Sequence, residues 1–141
     1  MVFVFDENIP SKIVETLSVL YKDCLGCHDL YSVENLGLRG VKDVDLMPKI
    51  KERFPNNTCV FISGDRNITK RKPELEAFKQ AEFIGFFCSS KSCQKNFFER
   101  ALYIMNLWPT IMSLSENSQP RAMYQMPSVS FSPTNREFKR L

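Results

Sequence analysis

Met1-Val2-Phe3-Val4-Phe5-Asp6-Glu7-Asn8-Ile9-Pro10 is the stretch on which the fold turns. Val2 to Phe5 is an unbroken apolar run with two β-branched residues, the pattern of a short strand buried on both faces of a parallel sheet. It breaks abruptly at Asp6, and Pro10 suits the first turn of a helix. In open α/β sheets the ligand sits beyond the carboxyl ends of the strands. A carboxylate pair at that break is therefore a candidate metal or acid–base site. The same residues also suit a helix N-cap, where Asp or Asn satisfies an orphan first-turn N–H.

Working outward, Ile13, Leu17, Leu20 and Tyr21 recur at helical spacing, so an amphipathic helix leaves the first strand. A weaker strand is expected over 27–33, then a loop at Leu36-Gly37-Leu38-Arg39-Gly40 punctuated by its glycines. A second helix is expected over 43–54, with Asp43 able to cap it and Pro48 awkward inside it. Thr58 to Ile62 is a second continuous apolar strand, ending in Ser63-Gly64-Asp65-Arg66-Asn67. A helix over 74–81, a strand over 83–87 and a long helix capped near Ser92 follow, the last with Phe97, Ala101, Leu102, Met105 and Trp108 on one face and Pro109 bending or ending it. Strand and helix alternate four times, which predicts an α/β fold with a mostly parallel sheet covered by helices on both faces. The text changes after residue 112. Residues 113–141 are rich in Ser, Pro and Asn and are expected to form a polar C-terminal tail, disordered or laid against a body of residues 1–112.

The chain has 141 residues, enough for one domain with a sizeable core. A net charge of +3 permits a nucleic-acid partner without requiring one. No apolar run approaches the roughly 20 residues that span a bilayer, and no basic region precedes the first apolar run as in a signal peptide. No membrane partner is expected, and a cytoplasmic, reducing setting is. The 5 cysteines suggest no disulfide framework. Cys24-Leu25-Gly26-Cys27-His28 matches a short haem-attachment pattern, and Cys24, Cys27, Cys88 and Cys93 have poor zinc spacing, so free thiols are the expectation. His28 is the only histidine and reads as a hydrogen-bonded strand residue.

Three acidic clusters need one explanation: Asp6/Glu7 after the first strand, Asp43/Asp45 at a helix start, and Asp65 after a buried strand. A parallel sheet brings strand ends to one edge, and carboxylates gathered there repel one another unless a cation sits among them. Mg²⁺ and Mn²⁺ take oxygen ligands, and such ions can activate water beside a phosphate. Three separate caps or turns are the alternative for the same residues.

Val4 to Pro10, Gly40-Val41-Lys42-Asp43-Val44-Asp45-Leu46, Phe61 to Ile68 and Leu107-Trp108-Pro109-Thr110-Ile111 together make the chain resemble the PIN-like ribonuclease superfamily, specifically its small stand-alone members that include VapC-type toxins. The resemblance covers residues 1 to about 112. It implies a three-layer α/β/α PIN-like fold, Mg²⁺- or Mn²⁺-dependent endoribonuclease activity on RNA and a protein antitoxin as partner, with a homodimer left open. It also implies that Asp6, Asp43 and Asp65 are catalytic and metal-binding, with Asp45 a second metal candidate and Glu7, Asn8 and Asn67 in the outer shell. Relatives often carry an acid where Asn67 stands, and asparagine brings no charge. Arg66, Lys70, Arg71 and Lys72 follow the Asp65 corner and are candidates for RNA phosphates, a solvated charge run being the plainer reading. Two other readings stand beside this one. A receiver-like phosphoacceptor domain also gathers acids at strand ends and would need a lysine such as Lys91, and a catalytically inactive module would only bind a protein.

Overall fold

The computed structural model describes residues 1–22, 28–88, 96–128 and 138–141. Strand β1 (Val2–Phe5) leads into helix α1 (Ser11–Leu20), followed by β2 (Asp29–Ser32), α2 (Asp43–Arg53) and β3 (Cys59–Ser63). A short 3-10 turn (Arg66–Thr69) precedes α3 (Lys72–Gln80), then β4 (Ile84–Cys88), α4 (Phe97–Glu116), β5 (Met123–Met126) and β6 (Lys139–Arg140). The six strands form one sheet in the order β2-β1-β3-β4-β5-β6, parallel throughout except for the antiparallel β5–β6 pair. Among the described residues no helix is long and apolar enough to cross a membrane.

Alternation along β1 sends Phe3 and Phe5 to one face and Val2 and Val4 to the other, the two-sided burial that an apolar run requires. On the Phe3 face α1 and α4 pack through Ile13, Leu17, Ile104, Leu107 and Trp108. The Trp108 ring, wholly buried, meets Phe3 edge-on at 5.0 Å between centroids. On the other face α2 and α3 contribute Leu46, Met47, Ile50 and Phe78. The result is the three-layer α/β/α arrangement expected, but of the stripe expected on α4 only Trp108 is core. Ala101 and Met105 are partly buried, Phe97 and Leu102 are exposed, and the buried face runs instead through Tyr103, Ile104, Leu107, Trp108 and Ile111.

Both internal prolines sit within helices, Pro48 in α2 and Pro109 in α4. Each is exposed, so water can serve the carbonyl that loses its helical partner. α4 therefore runs past Pro109 to Glu116, and Asn96 rather than Ser92 caps it, accepting the Glu99 N–H at 3.0 Å.

The stretch after residue 112 departs from the expected tail in its described part. Ser115 is fully buried, its hydroxyl donating to the Ile111 carbonyl at 2.7 Å, which hides its polarity inside the last turn of α4. β5 then pairs with β4 in parallel and buries Met123, Tyr124 and Met126. The boundary at 112 cuts through a βαβ unit, because α4 is the crossover that carries the chain from β4 to β5. The cysteines also depart from expectation. Cys88 is disulfide-bonded, whereas Cys59 is a free, buried thiol whose pKa is pushed up by burial. Cys24, Cys27 and Cys93, on which the haem and zinc patterns depend, lie outside the described residues.

Gly85 in β4 has no room for a side chain. A Cβ there would stand 2.5 Å from the Phe87 ring and 2.7 Å from the Phe78 ring, both in the core. Gly85→Ala is expected to cost about 1–3 kcal/mol, the usual penalty for overpacking, and to lower the thermal midpoint by several degrees. A melting curve unchanged within a degree would show that the rings yield freely.

Candidate active site

The chain leaves β1 for β2 on one side and returns to β3 on the other, so strand order reverses between β1 and β3. Such a reversal opens a crevice beyond the carboxyl ends of the strands. Asp6 follows β1 at that place, and Ser63-Gly64-Asp65 ends β3.

Asp6 is buried and held from several sides. The Glu7 N–H donates to Oδ1 at 2.8 Å, while Asn8 Nδ2 at 3.1 Å and the Ser63 hydroxyl both donate to Oδ2. Ser63 Oγ also accepts the Asp65 N–H at 2.9 Å, and Asn8 Oδ1 accepts the Gly64 N–H at 2.9 Å. These bonds rivet the two strand ends together. Burial pushes the Asp6 carboxyl above its ordinary pKa, bonds from Ser63 and the Glu7 N–H oppose this, and the charges of Asp43 and Glu7 add to the rise. Asp6 is not a helix cap, since α1 begins after Pro10 with no side-chain cap.

The loop ahead of α2 comes over this edge because Glu7 Oε2 accepts the Gly40 N–H at 3.0 Å. Gly40 has a φ of 77°, a left-handed conformation that favours glycine. Lys42 takes the N-cap position, which leaves Asp43 in the first turn with its carboxylate uncommitted to capping. Partial burial raises the Asp43 pKa, Arg71 opposes the rise, and Glu74, Asp65 and Glu7 reinforce it. Asp65 does cap: its Oδ1 accepts the Asn67 N–H at 2.8 Å, leaving Oδ2 for other work.

That other work is done with Arg71. Its guanidinium reaches Asp65 Oδ2 at 2.9 Å, Asp43 Oδ2 at 3.3 Å and Glu74 Oε1 at 3.2 Å. The bond to Glu74 and the charge of Asp65 raise the Arg71 pKa further. Asp6, Glu7, Asp43, Asp65 and Glu74 thus form one electrostatically connected group. Asp45 stands outside it, because two residues along a helix turn the side chain by about 200°, and Asp45 is exposed. Asn67 contributes its backbone N–H, its side chain being exposed. Lys70 and Lys72 are exposed beside the group, whereas Arg71 turns into it; the side chain of Arg66 lies outside the described residues, as does Lys91.

Glu74, Ser63 and Arg100 escape a sequence reading. Glu74 had a faint signal, lying three residues after Arg71 at ion-pair spacing on a helix. Ser63 carries no signal of its own at the end of an apolar run, and Arg100, whose Nη1 donates to the Asn8 carbonyl at 3.1 Å, is joined to the site by tertiary structure alone. His28 lies at the opposite end of the sheet, its Nε2 3.0 Å from Glu116 Oε1 at the end of α4.

Do these residues fit Mg²⁺ or Mn²⁺? The donors are carboxylate oxygens, the type that hard divalent ions take. Two of the carboxyls have pKa values raised in part by their neighbours' charge, repulsion that a cation would relieve. A cationic group already bridges Asp43 and Asp65. As they stand, no three His, Cys, Asp or Glu side chains among the described residues are drawn together enough to hold an ion. The donor set fits in kind, and Asp6, Asp43 and Asp65 are the residues that would have to close together to hold an ion.

No curated protein and no solved structure matches the chain. A family model described as PIN like domain matches residues 1–90, a span that contains β1 to β4 and every carboxylate of the group above. With the sheet, the strand-order reversal and the acidic edge in agreement, the chain belongs to the PIN-like domain family, which has a nuclease-type fold.

Proposed function

We propose that the protein is a metal-dependent endoribonuclease of PIN-like type and the toxin of a toxin–antitoxin pair. The observation that carries the reading is the gathering of Asp6, Asp43 and Asp65 at the strand-order reversal, with two of the three carboxyl pKa values raised. When bound, Mg²⁺ or Mn²⁺ supplies an acidified water and a counter-charge for phosphate. Asp6 is pre-set for its part, because Ser63, Asn8 and the Glu7 N–H fix both of its oxygens. Asp43 and Asp65 approach from the other side of the crevice, and Lys70 and Lys72 flank it as phosphate contacts. Water attacking phosphorus in line leaves a 5′-phosphate and a 3′-hydroxyl. With His28 at the far end of the sheet, no imidazole pair serves the site and no cyclic phosphate is expected.

Digestion of mixed-sequence RNA by the purified chain, with and without EDTA, tests this. Cleavage that stops in EDTA, returns with Mn²⁺ and yields 5′-phosphates is the expected result. EDTA-resistant cleavage, or 2′,3′-cyclic phosphate ends, would rule it out. The toxin role rests on the likeness to small stand-alone members, and growth arrest on expression, relieved by a co-expressed neighbouring protein, is its check.

The ion pairs of Arg71 favour a second reading, a catalytically inactive protein-binding module in which the carboxylates are satisfied internally. Mn²⁺-dependent thermal stabilisation separates the two, because an inactive module of this kind gains little from the ion.

A further inference from the structure

Building on the nuclease reading, we propose that Arg71 is a built-in counter-ion that a divalent cation must displace, so that Arg71 sets how tightly the site binds metal. One guanidinium engages Asp43 Oδ2 and Asp65 Oδ2 together, at 3.3 and 2.9 Å. Those are carboxylates that would have to close on an ion, and Mg²⁺ demands oxygens at about 2.0–2.1 Å. A second cation between the same two groups would meet a like charge at van der Waals distance.

The surroundings of Arg71 suit a movable group. It stands between the 3-10 turn and α3, an extended residue at φ −91°, ψ 117°, and its side chain is 45% exposed. It can swing into solvent without disturbing either helix. Glu74, itself only 14% exposed, holds the guanidinium from the first turn of α3 and would keep it near the crevice after release. The planar fork suits several carboxylates at once, which a lysine ammonium does not.

The test is calorimetric titration of Mn²⁺ into the full chain, comparing wild type, Arg71→Gln, Arg71→Lys and Lys70→Gln. Arg71→Gln is expected to bind Mn²⁺ at least tenfold more tightly than wild type, and Arg71→Lys to fall between them, since an ammonium competes less well for three carboxylates. Lys70→Gln removes the same charge from exposed surface and should shift the affinity less than threefold. In EDTA, Arg71→Gln should also melt at a lower temperature than wild type, with Mn²⁺ restoring the difference. Equal or weaker binding by Arg71→Gln, in a wild type that binds, would overturn the displacement and leave the nuclease reading standing. A gain from Lys70→Gln as large as that from Arg71→Gln would also overturn it, in favour of general surface charge. Absence of Mn²⁺ binding in all four chains would sink both.

Discussion

Asp6→Asn is expected to cut RNA cleavage by a factor on the order of 10²–10³, the usual loss when a group that organises transition-state charge is removed. The same change should leave the fold in place, and its effect on stability should depend on pH with a definite sign. Burial raises the folded-state pKa of Asp6 above the ordinary 3.8. The native chain therefore holds that proton more tightly than the unfolded chain does. The stabilisation this gives is complete below the unfolded pKa and is lost as pH rises through the folded pKa. The amide that replaces the carboxyl does not titrate. In EDTA, the stability of the variant relative to wild type should improve from about pH 4 upward and then level off above the folded pKa. The absolute offset also contains a cost of about 1 kcal/mol, because the new amide's NH2 must face a donor that now meets a carboxylate oxygen, the Glu7 N–H when its oxygen keeps the bonds from Ser63 and Asn8. Asp65→Asn should lose activity similarly and fold normally, since asparagine caps the 3-10 turn as well as aspartate does. Melting curves across pH and a gel-based cleavage assay check both variants. Retained cleavage in either would remove that residue from the site, and a flat relative stability would mean that Asp6 is not a buried charge.

Truncation after Ser115 is expected to abolish the cooperative thermal transition. It removes β5, in which Met123, Tyr124 and Met126 are buried, each contributing about 1.5–3 kcal/mol. That sum approaches the whole stability of a typical domain, about 5–15 kcal/mol. It also strips the partner from one edge of β4, where Phe86 stacks on Tyr124 at 5.1 Å. Among the described residues, truncation after Ser128 removes much less: β6 is a two-residue exposed edge, and Phe138, partly buried against Phe86, is the main loss at about 1–2 kcal/mol. The longer truncation should therefore lose its transition while the shorter one keeps it. Survival of both would mean that the β4 edge stands without β5.

The sequence by itself determined the parallel sheet. Val2–Phe5 and residues 59–62 are apolar without alternation, and only burial on both faces accommodates that pattern. It also determined that acids lie just beyond two such strands, because Asp6 and Asp65 immediately follow or nearly follow the runs. Tertiary structure decided the rest. Ser115 and the short Met123–Met126 strand look polar or weak as text, and they become core because α4 returns the chain to the free edge of β4. Tertiary structure also chose between Asp43 and Asp45, since helical rotation can present only one of them to the crevice. It tied Arg71, still half exposed, to three carboxylates, beyond the expectation of a phosphate contact alone. A basic residue next to two lysines reads as solvated surface until three carboxylates from α2, the Asp65 corner and α3 are found around it. Local pattern encodes how much of a segment is buried. Which charges share a dielectric environment depends on the path of the whole chain.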